Sequence, residues 1–221
     1  MRRRGKRPRR ALAALALLGA CTRPLSDSET ALAGALFGAT LDPGAVRIAA
    51  GVGLVPPAAP AAAALAAPRP APPDICRRTQ STRRVIALPS AVTLGNTVFF
   101  KHRYYLPDAA RGFPAALPLP ASLILVHELV HVWQWQNRAE TGYTILGVAG
   151  ESLARVDPYW WQPDAARRFA TFGYEQQAAI VEDFACLALF DRQNPRLAET
   201  AALLQGVLPT AAFLARLEAR P

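Results

Sequence analysis

Residues 123–136 read LILVHELVHVWQWQ, an HExxH run set in an apolar stretch. On an α-helix, side chains four positions apart lie one above the other, so the imidazoles of His127 and His131 can reach one ion. Glu128 then sits beside that ion without having to ligate it, free to take a proton from a water the ion activates. The chain holds three histidines and eight glutamates. Independent placement would set His, Glu and His in this register in about one such chain in a thousand. The other residues from 123 to 133 carry no charge, which suits a buried helix with few competing ligands. The pattern predicts a metal helix, with zinc (Zn2+) as the ion and hydrolysis as its chemistry.

Catalytic zinc takes three protein ligands plus a water. The sixth residue after His131 is Asn137, so the third ligand lies elsewhere. Glu175 opens an apolar helical pattern over residues 174–185, where an inward-facing carboxylate needs a cation to offset its desolvation. Glu182 and Asp183 follow two turns later and can share that face, or orient a ligand histidine from behind. The order of preference is Glu175, then Glu182, then Asp183. Candidates for the group that steadies developing negative charge are Tyr143, Tyr159, Tyr174 and His102; His102 reads first as an exposed loop histidine.

The N-terminus carries a different message. Seven of the 25 basic residues fall within residues 1–10, followed by the apolar run 11–20. That is the basic and apolar pair of regions of a secretory signal, too short to span a bilayer. It ends in Leu18-Gly19-Ala20-Cys21, which resembles a bacterial lipobox and implies cleavage before Cys21 and its acylation. Thr22 in place of an aspartate points to the outer membrane. The expectation is a lipoprotein of the cell envelope, facing the periplasm and anchored to the membrane at Cys21. Without the signal, 18 basic residues against 16 acids leave +2, and no basic stripe remains to suggest a nucleic-acid partner. Cys76 and Cys186 can pair in an oxidising compartment, or Cys186 can serve as a small buried apolar residue.

Residues 22–26 read as a tether. Ser26 with Glu29 close behind starts a helix that stops at Gly38. Strands are expected at 45–49, 85–88, 91–94 and 97–100, the last two joined by the Gly95-Asn96 turn. The Ala/Pro-rich segment 56–73 is a loop or extended spacer. Pro120 and Ser122 suit the start of the metal helix, Ser122 as its cap. Residues after Gly142 read as loop-rich, and further helices finish the chain. An edge strand of such a sheet could pair with an extended peptide.

Taken in order, SETALAGALFG, AVRI, AVTLGNTVFF, LILVHELVHVWQWQ and FGYEQQAAIVEDF resemble the Vgr-related proteins of proteobacteria. Those are similar in turn to a metallopeptidase domain found with extracellular contractile injection systems. The resemblance covers roughly residues 25–190. It implies a zincin-like, gluzincin-type fold in which His127 and His131 are ligands, Glu128 is the general base and Glu175 takes the third-ligand position. It also implies secretion-system components as partners and a peptide or protein as substrate. The Ala/Pro segment and the lipoprotein signal depart from the family pattern.

The expected architecture is therefore α+β: residues 1–20 a signal peptide with its lipobox at 18–21, and 21–221 a single zincin-like domain. That domain is mainly helical, with a small antiparallel sheet beside the HExxH helix. The expected activity is that of a zinc metalloendopeptidase, with a non-catalytic zinc-binding or scaffold module as the alternative.

Overall fold

The computed structural model describes residues 22–51, 71–72, 74–83, 89–164 and 166–219. The signal peptide, Cys21, most of the Ala/Pro-rich segment and the strand expected at 85–88 lie outside the described residues. Four short strands, β1 (Thr22–Arg23), β2 (Arg47–Ala50), β3 (Ala91–Leu94) and β4 (Thr97–Phe100), form one sheet in the order β1-β2-β4-β3. Among the described residues there are seven α-helices: α1 (Asp27–Phe37), α2 (Ala121–Gln136), α3 (Arg138–Thr141), α4 (Ile145–Ala154), α5 (Tyr174–Phe190), α6 (Arg196–Leu204) and α7 (Thr210–Glu218).

The chain is of mixed α and β composition, as expected, but the sheet is mixed where a purely antiparallel one was expected. β3 and β4 make the predicted hairpin, yet β2 runs parallel to β4, pairing Arg47 with Thr97 through to Ala50 with Phe100. Parallel neighbours need a long crossover, and the forty residues between β2 and β3 allow one. β1 lies antiparallel to β2 on the opposite edge from β3.

Residues 22–26 are no tether. Arg23 reaches from β1 to the fully buried Glu29 with two ion-pair contacts, at 2.6 and 2.8 Å. The same carboxylate accepts from Ser26 N–H at 2.9 Å and Ala109 N–H at 2.8 Å. Ser26 Oγ in return accepts from Glu29 N–H at 3.2 Å, so Ser26 and Glu29 form the reciprocal cap of α1. Both oxygens of this deeply buried carboxylate are paired, which offsets the cost of removing it from water.

α2 is the spine. It packs on α5 along one side and on β3 and β4 along another. Leu125, Leu129 and Val132 on α2, Ile180 and Phe184 on α5, and Phe100 on β4 are all buried in one core. Burying each such side chain is worth about 1.5–3 kcal/mol. That wrapping explains why α2 is apolar nearly all round instead of striped.

Two local expectations need correction. α2 begins at Ala121 with Pro120 at the N-cap, and Ser122 is buried in its first turn with no partner for its hydroxyl. The Ser122 N–H already bonds Pro118 O at 3.0 Å, which draws it into the turn and away from the cap position. The stretch after Gly142 is not simply loop: α4 forms there, capped by the Thr144 hydroxyl on Gly147 N–H at 3.0 Å. Gly147 and Gly150 weaken the helical pattern in the sequence, and the cap together with packing on α5 restores it.

Among the described residues, no helix is long and apolar enough to cross a membrane. Cys76 and Cys186 are joined in a disulfide, which ties segment 74–83 to α5.

Candidate metal centre

α2 turns His127 and His131 toward α5, and the first turn of α5 carries Glu175 to meet them. Nε2 of His127 lies 3.1 Å from Oε2 of Glu175, and Nε2 of His131 lies 3.3 Å from the same atom. All three residues are buried, and their donor atoms lie within 4.8 Å of one another. Three donors from two packed helices therefore face one point.

The far side of each ring is held as well. Nδ1 of His127 donates to Oε2 of Glu182 at 3.1 Å, since a carboxylate can only accept. Nδ1 of His131 faces Oε1 of Gln134 at 2.8 Å. The Gln134 amide nitrogen is committed to Tyr174 O at 3.2 Å and Gln177 Oε1 at 2.9 Å, which leaves its oxygen as the acceptor. With Nδ1–H spent in both rings, each Nε2 can offer its lone pair inward. Outer bonds of this kind commonly fix metal-ligating histidines. Oε1 of Glu175 accepts from the Ser152 hydroxyl on α4 at 3.0 Å, which aims Oε2 at the histidines. Glu151, also on α4, accepts from Tyr174 N–H at 2.6 Å at the start of α5. A Cβ at residue 173 would overlap the Glu151 carboxylate, so any side chain there would have to push Glu151 off the Tyr174 N–H.

Charge follows the same geometry. Burial alone would lower the pKa of His127, but the bonds and charges of Glu175 and Glu182 outweigh it and raise the pKa to about 10. Burial opposes ionisation of Glu175 too, yet its bonds to both imidazoles hold it well below the usual carboxylate range. Against the lowering effect of burial, the facing carboxylates likewise raise the pKa of His131.

Glu128 is buried beside these ligands, and Oε2 accepts from the Thr93 hydroxyl of β3 at 2.7 Å. Tyr159 meets His127 edge-on with ring centres 5.6 Å apart, and Tyr143 lies 6.2 Å from His131. Burial and the neighbouring carboxylates push the Tyr143 phenol up to about 12 and raise that of Tyr159, so both keep their protons at neutral pH. The Tyr174 hydroxyl is spent on Gly142 O at 2.7 Å. His102 is exposed in a single 3-10 turn after β4, as expected for a loop histidine.

Of the ranked carboxylates, Glu175 joins the histidine cluster. Glu182 stands behind His127, and Asp183 turns away to Arg78 at 2.8 Å and to the Trp161 indole N–H at 2.8 Å. Sequence reasoning missed Thr93, Ser152, Gln134 and Arg78. One had a readable sign: Gln134 is the first amide after His131, one turn on along an apolar helix. Thr93 had none, since alternation would turn it outward between the apolar Val92 and Leu94, yet it is the buried one.

The fold and the site together define an α/β domain with a buried His-His-Glu group that could hold a metal ion. Two imidazole nitrogens, one carboxylate oxygen and fixed outer bonds fit a divalent cation. Among solved structures, the chain is similar to the effector domain of Pseudomonas aeruginosa VgrG2b, with a TM-score of 0.53 and 22% identity over 89% of this chain and 92% of that one. That likeness is one of fold, and it agrees with the Vgr-related resemblance seen in the sequence. No family model matches the chain, and the comparison with curated proteins likewise finds no match.

Proposed function

We propose that the chain is a zinc-dependent metallopeptidase. The observation that carries this reading is the convergence of His127, His131 and Glu175 on one point, with Glu128 held beside them. A zinc ion bound there would supply Lewis acidity, lowering the pKa of water and polarising a peptide carbonyl. Glu128 takes a proton from the attacking water as the C–O bond forms, and passes it to the amine nitrogen as the C–N bond breaks. The Thr93 hydroxyl keeps the Glu128 carboxylate turned toward that proton. Tyr159 and Tyr143, whose rings lie against those of His127 and His131, are the candidates to donate to negative charge developing on the carbonyl oxygen.

The substrate is an extended peptide or protein segment. β3 is the outermost strand on its side of the sheet among the described residues, and its Thr93 touches Glu128. A peptide laid along that edge would gain main-chain hydrogen bonds within reach of the base.

The cellular setting we propose is that of an envelope lipoprotein anchored at Cys21, facing the periplasm from the outer membrane. The Cys76–Cys186 disulfide supports an oxidising compartment. Secretion-system components are the proposed partners, supported by the fold likeness to a Vgr effector domain.

The test is a Glu128→Gln variant beside the natural chain, each assayed for zinc content and for cleavage of a peptide library. The peptidase reading expects equal zinc and cleavage only by the natural chain. A non-catalytic zinc or scaffold module would show equal zinc and no cleavage by either. Full cleavage by the variant would remove Glu128 from the mechanism.

A further inference from the structure

Segment 74–83 lies against α5 and the Tyr159 turn, held by a few specific contacts. It forms no regular helix or strand, and Asp74, Arg77, Thr79, Gln80, Thr82 and Arg83 are exposed. Its covalent attachment is the disulfide from Cys76 to Cys186 on α5, between residues 110 apart in sequence; Ile75 packs beside it, and Arg78 Nε donates to Asp183 Oδ1 at 3.1 Å. Two residues after Cys76, Arg78 NH2 donates to Glu182 Oε2 at 3.1 Å and to Asp183 Oδ1 at 2.8 Å. Glu182 Oε2 is the same atom that accepts from Nδ1 of His127. Three residues further on, Ser81 N–H donates to Asp157 Oδ2 at 2.8 Å. Oδ1 of Asp157 accepts from Tyr159 N–H and Trp160 N–H, both at 3.1 Å, forming the turn that sets Tyr159 against His127. Both outer supports of His127 thus lead back to one short segment.

We propose that Arg78 is a positioning residue for the metal centre, acting through Glu182, and that the Cys76–Cys186 disulfide makes this action redox-dependent. The inference rests on the metal-binding reading above. With the disulfide intact, Arg78 is confined beside α5 and keeps Glu182 on the back of His127. Reduction breaks the Sγ–Sγ bond: a dithiol gives up two electrons and two protons, closing to its own disulfide, and Cys76 and Cys186 become thiols. The segment then lacks its anchor, and its local stability falls. Asp183 keeps the Trp161 indole and has Arg196 at 3.8 Å, so it stays in place. Glu182 is different. Its side chain is 23% exposed, and without Arg78 it can turn to solvent and leave Nδ1 of His127 unsupported. The chain would hold its metal weakly where thiols are abundant and tightly once oxidised.

The test is zinc affinity of the full chain, read by competition with a chromophoric chelator. A Cys76→Ser/Cys186→Ser double variant stands for the reduced state without adding thiols that themselves bind zinc. That variant and the oxidised Arg78→Ala variant should each bind zinc about 10–100-fold more weakly than the oxidised natural chain, the usual effect of losing an outer-shell partner. Adding Arg78→Ala to the double variant should cost nothing further, and Glu182→Gln should abolish the effect of Arg78→Ala. General loosening would not give that non-additivity. Arg78→Ala keeps the disulfide, so it carries the test even if the serine variant fails to fold. Unchanged zinc affinity in Arg78→Ala overturns the proposal, as do losses that add in full. If the oxidised natural chain binds no zinc, the metal-binding reading itself has failed, and this proposal with it.

Discussion

The hydroxyl of Thr93 donates to Oε2 of Glu128 across 2.7 Å, joining β3, an edge strand of the sheet among the described residues, to the acid of the HExxH motif. One short strand therefore both orients the proposed base and presents the edge along which a substrate would lie. A hydrogen bond to a charged group is worth about 1.5–3 kcal/mol, which corresponds to roughly a ten- to hundredfold effect on rate. Thr93→Val, which keeps the shape and loses the donor, should lower kcat by about that factor with zinc content unchanged. Thr93→Ser should recover most of the rate. Equal kcat in the valine variant would show that Glu128 needs no such support.

The cluster also predicts how pH acts on the metal-free protein. The folded pKa of His127 is raised from its ordinary 6.5 to about 10, so its contribution to stability is fully present below 6.5 and is lost as pH climbs through about 10. The pKa of Glu175 is lowered from 4.5, so its contribution is present above 4.5 and is lost as pH falls through the depressed folded value. With a chelator present, Tm should therefore be highest between about 4.5 and 6.5 and fall steadily toward pH 10. Zinc must displace protons from the histidines, so its stabilisation should grow over the same range. Thermal unfolding with and without zinc from pH 5 to 9.5 checks both trends. A flat Tm in the metal-free series would contradict the raised pKa of His127.

Away from the site, Glu29 and Arg23 tie the first described strand to α1. Removing one partner of a buried pair leaves the other charge poorly compensated, typically costing about 3–5 kcal/mol. Glu29→Ala should lower the denaturant midpoint accordingly and leave the slope unchanged. Removal of residues 22–23 should destabilise in the same direction, since it takes away both β1 and Arg23. A loss below about 1 kcal/mol in either case would mean that residues 22–26 behave as the tether the sequence suggested.

Much of the site was legible because its chemistry sits on helices. HExxH fixes two imidazoles by spacing alone, and the acid that opens an apolar helix marks Glu175 as needing a cation. Helix periodicity likewise placed Glu182 on the correct face, where it supports His127. The sheet was less legible. β3 and β4 are neighbours in sequence and their hairpin follows from the turn, but β2 pairs with β4 across 46 intervening residues that carry no sign of register. Arg23 was hidden for a similar reason: nothing near it in sequence shows that its partner Glu29 is buried. α4 was obscured by its two glycines, and Ser152 with it. Arg78 had no local signature, because its role depends on a disulfide that the sequence only allowed.

His127, His131 and Glu175 are proposed to hold one metal ion together. The most direct measurement is metal content by mass spectrometry of the purified chain, with the Glu175→Ala variant prepared alongside and both exposed to zinc before desalting. About one zinc per natural chain is expected, and little or none in the variant, with the variant still folded. Zinc retained in full by the variant, or none in the natural chain after reconstitution, would contradict it.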